Sequence, residues 1–162
     1  SAHGAEGRTH AAAALARSFA ALGERTLLID ADLRSPAQHR VFGLANRGGL
    51  AEYLEGAPAA PVPCADNLSL MVAGAARTDP LALLCRRRLP VLLGDAARGF
   101  RVVIMDTPAA ARGPDLEMLA ALAGGALVVA RPQRTDARAL GRLRGALERC
   151  SARVVATVLN RF

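Results

Sequence analysis

The sequence predicts a layered α/β fold, a mainly parallel sheet with helices on both faces, and three observations predict it. Apolar runs too short for helices recur at Thr26–Ala31, Val102–Met105, Ala126–Ala130 and Arg153–Leu159, as expected of buried parallel strands. Longer segments with helical spacing separate them, the alternation left by parallel strands joined through right-handed crossovers. Three of the runs lead into polar segments, Asp30-Ala31-Asp32, Asp106-Thr107-Pro108 and Asn160-Arg161. Such sheets hold their ligands at these carboxyl ends.

In chain order, residues 9–22 are alanine-rich with helical spacing and are closed by Gly23. The first strand follows and ends in acid. Ser35-Pro36 reads as the cap and first position of a short helix to Phe42, stopped by Gly43. Gly49–Leu54 forms another short helical turn. Residues 57–67 (APAAPVPCADN) read as a Pro/Ala loop, and Leu68–Val72 as a strand. Asp79-Pro80 opens a helix running toward Arg98 with a kink at Pro90. A strand over Val102–Met105, a helix over residues 114–122, a strand over Ala126–Ala130, a helix over Thr135–Arg149 and a strand over Arg153–Leu159 complete the chain.

The 162 residues fit one domain, 1–162, and 52% of them are hydrophobic, enough to bury a full core. The chain opens on a glycine-rich loop with no strand ahead of it, so it reads as a fragment of a longer protein. No apolar run approaches the ~18 residues of a membrane-spanning helix. The three cysteines (Cys64, Cys85, Cys150) lack metal-ligand spacing, which argues against zinc and a disulfide framework and for a reducing, cytoplasmic setting. All 21 basic residues are arginine, against 14 acids, for a net charge of +7. The absence of lysine excludes lysine-nucleophile chemistry. The arginines are scattered and aromatics are 3% of the chain, so no nucleic acid partner is expected. Arg86-Arg87-Arg88 reads as a solvated helix face.

Residues 1–10, SAHGAEGRTH, precede the first helix directly. A phosphate-binding loop needs small residues whose N–H groups wrap the phosphates, then Lys, then Ser or Thr for magnesium. Gly4 and Gly7 supply the permissive backbone, Thr9 stands at the magnesium hydroxyl, and the helix N-terminus adds its dipole. Arg8 occupies the lysine position, and Ala2 the first glycine position. The candidate nucleotide-contacting residues are Gly4, Ala5, Glu6, Gly7, Arg8, Thr9 and His10, with Asn160 and Arg161 from the last strand. The side chains of His3 and His10 are expected to face solvent. Thr9, Asp30 and Asp106 are the candidate magnesium residues, because carboxylates at two strand ends beside one phosphate loop suit a magnesium–nucleotide site. Asp30, Asp32 and Arg8 are the candidate catalytic residues. The fold expected is therefore P-loop NTPase-like, in three layers, α/β/α.

The chain resembles the bacterial tyrosine kinases of capsule and exopolysaccharide synthesis, within the MinD/ParA-like P-loop ATPases. Ser1–Thr9 is similar to the family's SxxPGEGKT loop. Leu27–Pro36 (LLIDADLRSP) is similar to its second acidic motif, LLIDADLRRP, and is the most specific match. HRVFG and GLAEYL resemble the segment after it, and Gly74 with Asp79-Pro80-Leu81 resembles the family's G…NPxELL stretch. Ile104–Pro108 (IMDTP) resembles Walker B, and Val158–Arg161 (VLNR) the last strand. The resemblance implies ATP and Mg2+ as cofactors. It gives Asp30 and Asp32 to the metal and to activation of the acceptor hydroxyl, Asp106 to the Walker B role and Asn160 to an adenine contact. It further implies a polysaccharide co-polymerase membrane protein as partner, a homo-oligomer, and a place in the cytoplasm at the inner face of the bacterial membrane. Arg34 is expected to be structural or interfacial.

This sequence departs from the family at Arg8, Ala5 and Ala109, its 162 residues include no tyrosine-rich stretch, and Tyr53 is their only tyrosine. Three readings stay open: an ATP-dependent tyrosine kinase weakened by Arg8, a non-catalytic assembly module, and a MinD/ParA-type positioning ATPase. The last lacks the early P-loop lysine of those proteins, since His3 or Gly4 stands there.

Overall fold

The computed structural model describes residues 7–110 and 113–161. The chain divides into two compact units, one over Thr9–Asp106, the other over Thr107–Phe162 with Ser1–Arg8. The first contains, in order, β1 (Thr26–Asp30), α2 (Gln38–Val41), α3 (Leu50–Glu55), β2 (Val62–Ala65), β3 (Leu68–Met71), α4 (Pro80–Leu84), α5 (Arg88–Gly99) and β4 (Val102–Asp106), preceded by α1 (Arg8–Ala21). The second contains α6 (Asp115–Ala123), β5 (Gly125–Ala130), α7 (Ala137–Arg149) and β6 (Arg153–Leu159).

In the first unit the strands lie in the order β2-β3-β1-β4. The central strand β1 runs parallel to β3 and β4, as predicted. Leu28 sits opposite Leu70 and Ile104, and this row packs against Ala13, Ala16 and Ala20 of α1. Alanine is what lets α1 lie close to the sheet while keeping the highest helix propensity. The alternate residues Leu27, Ile29 and Met71 are also fully buried, so both faces of the sheet are covered, as a parallel sheet requires. Asp30 and Asp106 are paired residues in the same row as Leu28 and Ile104, two positions on. Strand alternation therefore turns both carboxylates toward the α1 side.

Three expectations are corrected. The Pro/Ala loop contains an edge strand, β2, antiparallel to β3, with Pro63 opposite Ser69 and a register shift between Pro63 and Ala65. Proline is tolerated there because an edge strand has one side without a ladder to fill. The short helix starts at Gln38 after Ala37, not after Ser35, because Asp30 Oδ2 accepts the N–H groups of Ala37 and Gln38 at 3.0 and 2.9 Å. A carboxylate from another element thus does the capping that Ser35 was expected to do. Finally, Pro90 does not kink one long helix. The chain breaks between α4 and α5, and Pro90 lies in the first turn of α5, where no intrahelical N–H bond is lost. Asp79 caps α4 as expected, accepting the N–H of Ala82 at 3.0 Å.

The start of α3 is fixed by backbone contacts. Leu50 and Ala51 donate N–H bonds to the carbonyls of Val72 and Ala73, both 2.8 Å. The Glu52 carboxylate accepts the N–H groups of Gly49 and Ala75. Burial opposes ionisation of Glu52, and these N–H bonds outweigh it and hold its pKa below the ordinary value. A Cβ on Gly49 would penetrate the Val72 carbonyl and lie 2.7 Å from the Gly74 nitrogen. Both are backbone atoms that cannot swing aside. Gly49→Ala is therefore expected to destabilise by about 3 kcal/mol, read as a fall in Tm of roughly 10 °C for a chain of this size. The Arg88 guanidinium, at the head of α5, lies 4.6 Å over the ring of Tyr53 on α3.

In the second unit β5 and β6 are parallel. Leu116 and Ala120 of α6 and Leu143 and Leu147 of α7 form a core with Val128 of β5. Asp136 caps α7 through the N–H of Arg138. Among the described residues no helix is long and apolar enough to cross a membrane, and no disulfide joins Cys64, Cys85 or Cys150.

Candidate functional site

The site begins with the two in-register carboxylates. Asp30 is 0% exposed and Asp106 3%, and the Ala31 N–H continues the ladder to the Asp106 carbonyl at 2.8 Å. Besides its two bonds at the start of α2, Asp30 accepts the N–H of Asp32 on Oδ1 at 3.3 Å. Burial pushes the Asp30 carboxyl up to about 7. The three backbone N–H bonds pull the other way, and the neighbouring Asp106 charge adds to the rise. Asp32, two residues beyond the strand, is 6% exposed and accepts the N–H of Ser35 at 2.9 Å. Asp30-Ala31-Asp32-Leu33-Arg34 is thus a turn folded around its own acids.

Gln38 joins this group to the start of α1. Its side-chain nitrogen donates to the Thr9 carbonyl and to Asp106 Oδ2, each at 2.9 Å. Thr9 and Asp106, far apart in sequence, are therefore bridged by a single amide nitrogen. Nothing in the amino-acid pattern singles out Gln38. It reads as one polar residue of a short helix, and its burial at 0% exposure arises only from contacts 29 and 68 positions away. The one local signal is its position on the first turn of a helix whose N–H groups are held by Asp30.

The remaining candidates are placed as follows. Gly4, Ala5 and Glu6 lie outside the described residues, as do Ala2 and His3. Arg8 opens α1, and His10, two residues on, is exposed. Gly7 has φ +81°, and a Cβ there would run into the side-chain amide of Asn160. Within their own unit, then, the end of β6 lies directly against Gly7, and both the dihedral and the close approach call for glycine. Asn160 is tied to β5 through its N–H to the Ala130 carbonyl at 2.8 Å, and Arg161 beyond it is exposed. Arg34 lies 3.9 Å from Asp79, consistent with the structural role expected of it. Among the described residues no three His, Cys, Asp or Glu side chains converge as a metal cage. Two carboxylates, the Thr9 carbonyl and a buried amide bring several oxygens together. That chemistry suits a magnesium ion that retains several of its waters.

No family model matches the chain. The tyrosine-protein kinase YwqD of Bacillus subtilis is 30% identical over 159 residues, which cover 96% of this chain and 67% of YwqD. The succinoglycan biosynthesis transport protein ExoP of Rhizobium meliloti is 34% identical over 163 residues, 96% of this chain but 21% of ExoP. Among solved structures, the kinase domain of the Escherichia coli tyrosine kinase ETK superposes with a TM-score of 0.93 at 29% identity, covering 99% of this chain and 64% of that domain. The LLIDADLRSP and IMDTP segments, which carried the resemblance, are the ones that contain Asp30, Asp32 and Asp106. With the parallel sheet and the paired strand-end carboxylates in place, the chain belongs to the bacterial tyrosine-protein kinase family, whose fold is that of the P-loop ATPases.

Proposed function

We propose that this chain is a nucleotide-binding tyrosine kinase domain of exopolysaccharide or capsule production that takes ATP with magnesium and transfers phosphate slowly. The observation that carries the reading is the in-register Asp30–Asp106 pair, held to Thr9 through Gln38. Thr9, Asp30 and Asp106 would hold the magnesium ion in this reading. Bound there, it would neutralise charge on the phosphate oxygens. Asp32 would share in holding the magnesium ion, and it takes the proton of the acceptor phenol as the tyrosine O–P bond forms and the bond to the ADP leaving group breaks. Arg8 supplies positive charge at the helix start, but its broad planar head is a poor replacement for the compact lysine ammonium. Relatives named for tyrosine phosphorylation and for succinoglycan transport support placing the domain at the inner face of the cell membrane. Its partners there are a polysaccharide co-polymerase membrane protein and further copies of itself.

One observation favours a second reading, a non-catalytic assembly module: position 8 is arginine, and no lysine occurs anywhere in the chain. Calorimetry with ADP tests the site common to both readings. Wild type is expected to bind ADP with magnesium. Asp106→Asn and Asp32→Asn are expected to weaken that binding by about tenfold, near 1.4 kcal/mol, with little change in Tm, because Asn keeps one acceptor oxygen and a similar shape. Variants that melt far below wild type yet bind ADP normally would make these acids structural and sink the proposal.

A further inference from the structure

Gln38 has an unusual hydrogen-bonding situation. Its side chain is fully buried, and both partners of its nitrogen, the Thr9 carbonyl and Asp106 Oδ2, are acceptors. Turning the amide over would set its oxygen against two acceptor oxygens, so the orientation is dictated by the neighbours. The oxygen Oε1 is thereby held on the other arm of the same amide, and it is a buried acceptor with no hydrogen-bond partner. Buried acceptors are almost always satisfied, and one that is not calls for a donor. Asp30 and Asp106 supply only acceptors when ionised. A water bound to a divalent cation is a strong donor, and magnesium characteristically keeps several such waters.

We infer that Gln38 is a positioning residue of the magnesium–nucleotide site: its nitrogen sets the spacing between Thr9 and Asp106, and its oxygen accepts from a water carried by the metal. The inference rests on the nucleotide-binding reading above and adds a residue that acts through the metal's hydration shell. Its loss should therefore affect the metal requirement of nucleotide binding more than nucleotide binding itself.

The test is a titration of fluorescent ADP at a series of Mg2+ concentrations, and again in EDTA, for wild type, Gln38→Met and Gln38→Asn. Met fills a similar volume without donor or acceptor. Asn keeps both polar atoms but is one methylene too short to span Thr9 and Asp106, and it guards against a Met variant that does not fold. The expected result is a tenfold or larger rise in the Mg2+ concentration needed for half-maximal ADP binding in whichever variants fold, with the affinity in EDTA changed less than threefold. A purely structural role would lower Tm and weaken both conditions alike. An unchanged Mg2+ midpoint in a folded variant, with wild type binding normally, overturns the Gln38 assignment alone. Wild type that binds no ADP in either condition overturns the nucleotide reading and this inference with it.

Discussion

Arg8→Lys is expected to raise ATP turnover, or phosphorylation of a supplied tyrosine peptide, by roughly ten- to a hundredfold, less than the ~10²–10³ that a whole charge-stabilising donor contributes, because Arg8 already supplies the charge. Binding and phosphoryl transfer depend on different groups of the loop. Residue 8 opens α1, so the backbone N–H groups and the helix N-terminus remain available to phosphate whatever its side chain is. Nucleotide affinity should therefore change little. Transfer depends instead on a compact positive charge meeting the β/γ oxygens in the transition state, and a planar guanidinium meets them in a different geometry. No other side chain in the chain can supply an ammonium, because the sequence has no lysine. Steady-state turnover of the purified protein decides the matter. Wild-type turnover at about 1 s⁻¹ or above, as in ordinary kinases, would show Arg8 to be a working substitute. No gain in the lysine variant, with ADP binding intact, would favour the assembly-module reading.

The second large effect is a pH dependence of stability that Asp30→Asn removes. The folded Asp30 carboxyl titrates at about 7, raised from a model-peptide value of 3.8. Between those two values the native state holds a proton that the unfolded chain has released, so stability falls as pH rises through that window. Below pH 4 both states are protonated, and above pH 7 the full penalty is present. A shift of this direction and size corresponds to a loss on the order of a few kcal/mol across the window. In Asp30→Asn the amide oxygen can still accept the Ala37 and Gln38 N–H groups, while the charge beside Asp106 is gone. The difference in Tm between variant and wild type should accordingly grow by roughly 10 °C from pH 4.5 to pH 8, as scanning calorimetry would read it. A difference that stays flat would mean that Asp30 is ionised throughout. A cation bound near the carboxylates would favour their charged forms, so saturating Mg2+ and ADP should suppress the slope in wild type.

The strands and the principal acids were legible in the sequence because each depends on local pattern. Thr26–Asp30 is a short apolar run ending in acid, and a parallel strand with both faces covered can hardly read otherwise. Asp79-Pro80 was legible for the same reason, since cap and first helical position are neighbours. Ser35-Pro36 carried the same local signal and misled, because Asp30, five residues earlier, took the N–H groups at the start of the helix. Residues 62–65 were hidden by proline, whose meaning depends on whether the strand has a neighbour on each side. Gln38 was illegible because nothing within several residues of it sets its role. The resemblance supplied the roles of Asp30, Asp32 and Asp106, but it is carried by motifs, and Gln38 lies just outside the most specific of them.

Pro63 has a further consequence for behaviour at high concentration. The outer rim of a sheet is where another chain can add itself strand by strand, and the rim formed by β2 is discouraging to such growth. A proline has no N–H to offer an incoming backbone, and the register shift between Pro63 and Ala65 breaks the even spacing of donors and acceptors that a template needs. The stretch that looked in the sequence like mere connecting chain therefore serves as a stop on uncontrolled polymerisation.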